Sequence, residues 1–187
     1  MGLSYSSLQT LSRAQLWEYQ ALTFLTTMEI QCIHEAFLKL TRGATEGEAQ
    51  FLKSEQVSNI PALRVNPFRD KICKVFSTHE NGLFSFEDFL DLFSAFSETA
   101  SLSVKIDYAF QIFDLNDNNY IDQEDIRNII LRLTNGVMDE ANILTLTLNI
   151  LNEGDLNNDG MLSFSEFESV VSRLPDFQKA FTIRFRE

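Results

Sequence analysis

Two twelve-residue stretches concentrate the oxygen donors of this chain: DLNDNNYIDQED at 114–125 and DLNNDGMLSFSE at 155–166. Each sets a carboxylate, amide or hydroxyl at positions 1, 3, 5, 9 and 12 of the run. With one backbone carbonyl at position 7, that spacing wraps a hard divalent cation in oxygen alone. In the first run the donors are Asp114, Asn116, Asn118, the Tyr120 carbonyl, Asp122 and Asp125. In the second they are Asp155, Asn157, Asp159, the Met161 carbonyl, Ser163 (through a water) and Glu166. Position 6 must turn with positive φ; Gly160 does so freely, and Asn119 does so at some cost. The closing residues differ. Glu166 is long enough to grip with both oxygens, whereas Asp125 is one methylene shorter and favours six ligands over seven. The first loop is therefore expected to be weaker for Ca²⁺ and more tolerant of Mg²⁺.

Such loops belong to EF-hands, which need a helix on each side. The spacing predicts helices at about 102–113, 123–134, 139–153 and 164–173, with Ile121 and Leu162 at position 8 pairing across the two loops. The same unit recurs upstream. Apolar residues Phe68, Ile72, Val75 and Phe76 precede STHENGLFSFED at 77–88, and Phe86, Phe89, Leu90 and Phe93 follow it. Ser77 and His79 stand where acids are needed, so this loop keeps the shape and loses the ion. A further unit opens on the capping box Thr26–Glu29, with Ile30, Ile33, Phe37 and Leu40 on one face. Its exit helix is expected from a Ser54 cap, carrying Val57, Ile60 and Leu63. The insert between these helices is too long for a metal loop. The fold expected is all-α: four EF-hands in two lobes, the two N-terminal hands degenerate, with an extra leading helix and a C-terminal extension. The boundaries read as 1–98, 99–174 and 175–187.

The stretch TLTLNIL at 145–151 alternates with period two, as a strand would. Its place between two metal loops makes it helical. Leu144, Leu148 and Leu151 then form one apolar face and Ile143, Leu146 and Ile150 another. The second face is either a buried side of a central helix or the wall of a groove.

Composition bounds the rest. The chain has 187 residues, a net charge of −12, 17 phenylalanines and 44% apolar residues, ample for a core. The charge argues against nucleic acid and anionic membrane surfaces as direct partners. No membrane-spanning run or secretory leader is expected. Cys32 and Cys73 form no metal or redox motif and read as reduced thiols of a cytoplasmic protein. His34 beside Cys32 reads as helix packing. No nucleophile–base set or phosphate loop is present, so enzymatic activity is not expected. The opening MGLSYS fits an N-myristoylation pattern at Gly2, which would bring the protein to the periphery of the plasma membrane. One acyl chain gives only reversible attachment.

YQALTFLTTMEI, PALRVNPFRDKICKVFS, FSFEDFLDLFSAFSE, YAFQIFD and the terminal SRLPDFQKAF resemble the calcium and integrin-binding protein family. The similarity runs from about Glu18 to Phe185 and includes Asp at position 12 of the third loop. The resemblance implies a helical EF-hand protein binding Ca²⁺ and Mg²⁺, with a hydrophobic channel for an amphipathic helix. That helix would come from the cytoplasmic tail of a membrane protein, an integrin α subunit or an ion-channel subunit. The lining expected from apolar helix positions is Phe110, Ile130, Leu133, Leu146, Ile150, Phe167 and Val171. The segment Leu174-Pro175-Asp176 is expected to end one helix and cap another. Beyond it, Phe177, Phe181, Ile183 and Phe185 are too few to fold alone and must dock, by the resemblance over the groove. A monomer is favoured. Two other readings stand: a calcineurin B-like regulatory subunit of an enzyme or exchanger, and a passive cytosolic Ca²⁺ buffer.

Overall fold

The computed structural model describes residues 10–41, 51–79 and 81–183. Gly2, most of the insert and Phe185 lie outside the described residues. The leading helix α1 (Arg13–Leu22) starts at Ser12, whose hydroxyl accepts from Gln15 N while the Gln15 side chain accepts from Ser12 N. Helix α2 (Thr27–Leu40) starts with the expected box: Glu29 Oε2 accepts from Thr26 N at 2.8 Å and Thr26 Oγ1 accepts from Glu29 N at 3.3 Å. Strand β1 (Leu52–Lys53) and the short α3 (Ser54–Ser58) complete the first hand. The second is α4 (Arg69–Phe76), β2 (Leu83–Phe84) and α5 (Phe86–Ala95). The third is α6 (Leu102–Phe113), β3 (Ile121–Asp122) and α7 (Gln123–Leu133). The fourth is α8 (Glu140–Gly154), β4 (Met161–Leu162) and α9 (Phe164–Val171). A single turn, α10 (Phe177–Ala180), leads the tail.

The hands join in pairs through their loops. Leu52 pairs with Phe84 in one antiparallel ribbon, and Ile121 with Leu162 in the other, as position 8 requires. All four side chains are buried, and each contributes about 1.5–3 kcal/mol by leaving water. The cores of the two pairs interlock: Ile112 of α6 belongs to the N-terminal cluster, while Ile106, Ala109 and Phe110 of the same helix belong to the C-terminal one. Phe68 meets Phe113 edge-on at 5.3 Å and Phe76 stacks on Tyr108 at 4.4 Å, so aromatic rings fill the seam. His34 is packing, edge-on to Phe86 at 5.0 Å, and its burial pushes its pKa down.

Three local expectations are corrected. Ser54 is the first residue of α3, not its cap: Lys53 holds that place, its N–H donating to Gln56 Oε1, and the Ser54 hydroxyl donates to Gly82 O at 2.6 Å. The helix ends at Ser58, and Ile60 and Leu63 are buried from the turns that follow. Asp176 stands at the start of α10 without a side-chain capping bond: its backbone, at φ −104° and ψ 2°, is not in the extended conformation of a cap, and its exposed carboxylate pairs with Lys179 at 3.3 Å. The buried stripe of α8 is Ile143, Thr147, Leu151 and Gly154. Thr147 fits there because its hydroxyl donates to Ile143 O at 2.9 Å, which leaves no polar atom unpaired.

Candidate metal centres and the apolar face beside them

The two C-terminal loops are built on one plan. Asp114 accepts from Asn118 N (3.0 Å) and Asn119 N (2.8 Å); Asp155 accepts from Asp159 N (3.2 Å) and Gly160 N (2.8 Å). Position 4 (Asp117, Asn158) and position 6 (Asn119, Gly160) take φ of 61, 61, 65 and 85°. Asn119 therefore makes the same left-handed turn as glycine. The closing carboxylates also match: Asp125 accepts from Leu115 N (2.9 Å) and Asp122 N (3.2 Å), Glu166 from Leu156 N (2.9 Å) and Ser163 N (2.9 Å). Positions 9 and 12 are thus also the cap and third residue of the exit helix, a capping box in each hand. Asp125 reaches donors at the same two loop positions with one methylene less. The start of α7 must then stand closer to its loop than the start of α9 does.

These oxygens fit a hard cation. Among the described residues no three Asp, Glu, His or Cys groups converge as a ready cluster. The set instead mixes carboxylates with amide, hydroxyl and carbonyl oxygens, the donors Ca²⁺ and Mg²⁺ take. The Asn116 and Asn118 amides both donate to Asp122 Oδ2 at 3.0 Å, and Asn157 donates to Asp159 at 2.8 Å, so each loop draws its donors inward. The electrostatics of the closing residues diverge. Burial pushes the Asp125 carboxyl up, backbone N–H groups oppose this, and the charge of Asp122 adds to the rise. Glu166 is held below the usual range, chiefly by the Ser163 hydroxyl and N–H. A cation between Asp122 and Asp125 would cancel their repulsion.

The second hand has the loop without the charge. Gly82 turns with φ 65°. Asp88 at position 12 accepts from Thr78 Oγ1 at 2.8 Å and Ser85 N at 2.9 Å, and Ser77 donates to Leu83 O at 2.8 Å. Asp88 still closes this loop, but the side chains that bond at positions 1 and 2 are neutral hydroxyls.

The residues expected to line a groove fall into two groups. Phe110, Ile130, Phe167 and Val171 are buried in the C-terminal core, whereas Leu133, Leu146 and Ile150 are exposed. On α8, Leu144 (56% exposed) and Leu148 (44%) flank one side of the buried stripe, and Leu146 and Ile150 (39% each) flank the other. The helix is apolar over more than half its circumference and only the middle is covered.

The tail packs on the buried group of the expected lining residues, not on the exposed ones. Phe181 stacks on Phe96 at 4.6 Å, Ile183 N donates to Phe96 O at 2.9 Å, and Phe177 and Phe181 pack on the C-terminal core. Through Ile183, the tail occupies the seam between the lobes, against the core that holds Phe110, Ile130, Phe167 and Val171, and it leaves the α8 leucines open. Its anchor is Lys105, wholly buried, whose Nζ donates to Phe181 O (2.7 Å) and Thr182 Oγ1 (2.6 Å). Sequence reasoning missed Lys105; the one signal was a lone lysine in the apolar helix LSVKIDYAFQIF. It also missed Lys71 and Lys74, whose ammoniums reach Asp117 from more than forty residues away.

Comparison with known proteins supports this geometry. Residues 104–172 match the EF-hand domain pair family. Calcium and integrin-binding family member 2 of Drosophila melanogaster is 38% identical over 182 residues, covering 94% of this chain and 96% of the relative. The protein of that name from Homo sapiens is 34% identical and that from Danio rerio 37%, each over 175 residues, 91% of this chain and 94% of the relative.

Proposed function

The chain belongs to the calcium and integrin-binding protein family, a match over nine-tenths of its length, and on that premise we propose a Ca²⁺- and Mg²⁺-dependent regulatory protein that grips a partner helix. The observation that carries this reading is the uncovered apolar flank of α8 beside two oxygen-lined loops. Exposed Leu146 and Ile150 on one flank of the buried stripe, with Leu144 and Leu148 on the other, leave apolar surface that needs a cover, and an amphipathic helix in a groove is the usual one. The partner we favour is a cytoplasmic segment of a membrane protein, an integrin α tail or a channel subunit. Asp114, Asn116, Asn118, the Tyr120 carbonyl, Asp122 and Asp125 would hold one ion, and Asp155, Asn157, Asp159, the Met161 carbonyl, Ser163 and Glu166 the other. The bound ions supply charge that draws each loop onto its exit helix. With Asp125 short, Mg²⁺ would occupy the third loop in resting cells, and Ca²⁺ the fourth on demand.

Leu133, Leu146 and Ile150 would then form the rim of the site. Phe110, Ile130, Phe167 and Val171 would be its floor, reached as the third and fourth hands part. The role is regulatory rather than catalytic, in the cytoplasm, with membrane attachment through the partner or through an acylated Gly2. Binding of an amphipathic integrin-tail peptide, followed by calorimetry, tests the proposal. Leu146→Asp with Ile150→Asp is expected to weaken it at least tenfold while both metals still bind. Unchanged peptide affinity would leave only an ion buffer.

A further inference from the structure

The geometry points to a task for the second hand, which has lost its own ion: its entering helix α4 holds the third loop in shape for metal, with Lys71 and Lys74 as positioning residues. This rests on the reading of 114–125 as a metal loop. Asp117 stands at position 4 of that loop, between two candidate ligands, at φ 61°. Its carboxylate turns outward to α4, where Lys71 Nζ donates to Oδ1 at 2.7 Å and Lys74 to Oδ2. Lys71 is 4% exposed, so its ammonium is a fixed point rather than a swinging one. One residue earlier on α4, Asp70 takes both arms of the Arg132 guanidinium at 2.7 and 2.9 Å. Arg132 lies on the exit helix α7, donates as well to Pro67 O at 3.2 Å, and sits over the Phe68 ring.

Helix α4 therefore grips the third hand twice, once on the loop and once on the exit helix. Those are the parts whose relative angle changes when a sensor hand takes its ion. The fourth loop is an internal comparison. Asn158 makes the same turn at φ 61° with no charge, and among the described residues no ion pair involves 155–166. The fourth hand must order itself, while the third is ordered from outside.

Two physical effects of the lysines oppose each other. As charges they repel a cation, so removing them should tighten binding. As tethers they hold the loop in its liganding shape before the ion arrives, so removing them should weaken binding. The proposal requires the second effect to win.

The test is a titration of the full chain with Mg²⁺ and with Ca²⁺, reading the amide NMR signals of Asn119 and Gly160, position 6 of each loop. Two variants are compared with the native protein: Lys71→Met with Lys74→Met, and Asp117→Asn. The second keeps the turn, because asparagine already holds that φ at Asn158. Both are expected to lower affinity at the Asn119 signal about fivefold, the upper range for a small ion-pair network. The Gly160 signal should titrate within about twofold of native. Equal or tighter binding at Asn119 in the lysine variant overturns the positioning role alone. A native Asn119 signal that responds to neither metal overturns the metal reading of that loop and the inference with it.

Discussion

Replacing Lys105 by methionine should free the C-terminal tail without melting the protein. The ammonium is wholly buried and makes two short bonds, to Phe181 O at 2.7 Å and Thr182 Oγ1 at 2.6 Å; Gln178 O is farther, at 3.4 Å. Burial pushes its pKa down, with the charge of Glu98 pulling the other way, so part of what the bonds gain is spent on desolvation. A hydrogen bond from a charged group contributes about 1.5–3 kcal/mol, and we take that range for the pair after the offset. Each 1.4 kcal/mol is tenfold, so the open tail should become about ten- to a hundredfold more populated. The core should respond differently. Methionine fills the same channel as the lysine stem, and exchanging a buried charge for an apolar group of similar volume is often near neutral. Native-state hydrogen exchange of the Ile183 amide, which donates to Phe96 O, reads the tail; thermal unfolding reads the core. Ile183 protection that stays native in Lys105→Met, with an intact melting transition, would refute the anchor. Loss of protection only in step with global destabilisation would refute it equally, since the lysine would then be a core residue.

Other expectations follow from the same contacts. Cys73 is buried and its pKa is pushed up to about 11, chiefly by burial with the charge of Asp70 adding to it. Iodoacetamide at pH 8 should therefore label it at least tenfold more slowly than in the urea-unfolded chain, as read by mass spectrometry. For Asp70, burial raises the pKa but the Arg132 bonds and charge outweigh it, and the folded value is lowered. Its contribution to stability is thus full above the unfolded carboxylate range, near pH 4, and is lost as pH falls through the lower folded value. Asp70→Asn should flatten that part of a stability-against-pH curve, and an unchanged acid limb would count against the pair. Asp125→Glu should shift the third loop towards Ca²⁺ over Mg²⁺ about tenfold in calorimetry. It should also cost some stability, because Asp125 is fully buried and a longer side chain must shift its bonds to Leu115 N and Asp122 N.

What the sequence disclosed was what the chain encodes locally. An EF-hand loop packs its pattern into twelve residues, so the two loops at 114–125 and 155–166 could be read off directly as EF-hands, and α6 ran over its expected span. Position 8 also carried over, since Ile121 and Leu162 must meet if two loops pair back to back. The α8 pattern was legible only in part. Its leucines repeat every second residue because they flank a buried stripe on both sides, and Thr147 holds the middle through a bond to its own helix. No periodicity argument favours a threonine at the centre of a buried face. Lys105 and the α4 lysines were out of reach for another reason: their partners are 43 to 77 residues away, and nothing in either segment names the other.

The second hand shows how an EF-hand loop is held without a carboxylate at position 1. In the third and fourth loops the position-12 carboxylate accepts the N–H groups at positions 2 and 9, and the acid at position 1 accepts those at 5 and 6. In the second loop Asp88 still takes the position-9 N–H, from Ser85, but its other oxygen accepts the Thr78 hydroxyl. Ser77 at position 1, being neutral, donates across the loop to the Leu83 carbonyl. Each change replaces a contact that suits a bound cation with one that needs none. On the proposed reading the N-terminal ribbon and its core need no ion, the third loop leans on α4, and the fourth loop depends most on its own cation. If the C-terminal lobe responds to metal as proposed, α4 and α6 give it a frame to move against. Ion removal should then loosen α8 and α9 most, and α7 less because Arg132 ties it to Asp70, while α2, α4 and α5 keep their packing, as read by amide hydrogen exchange.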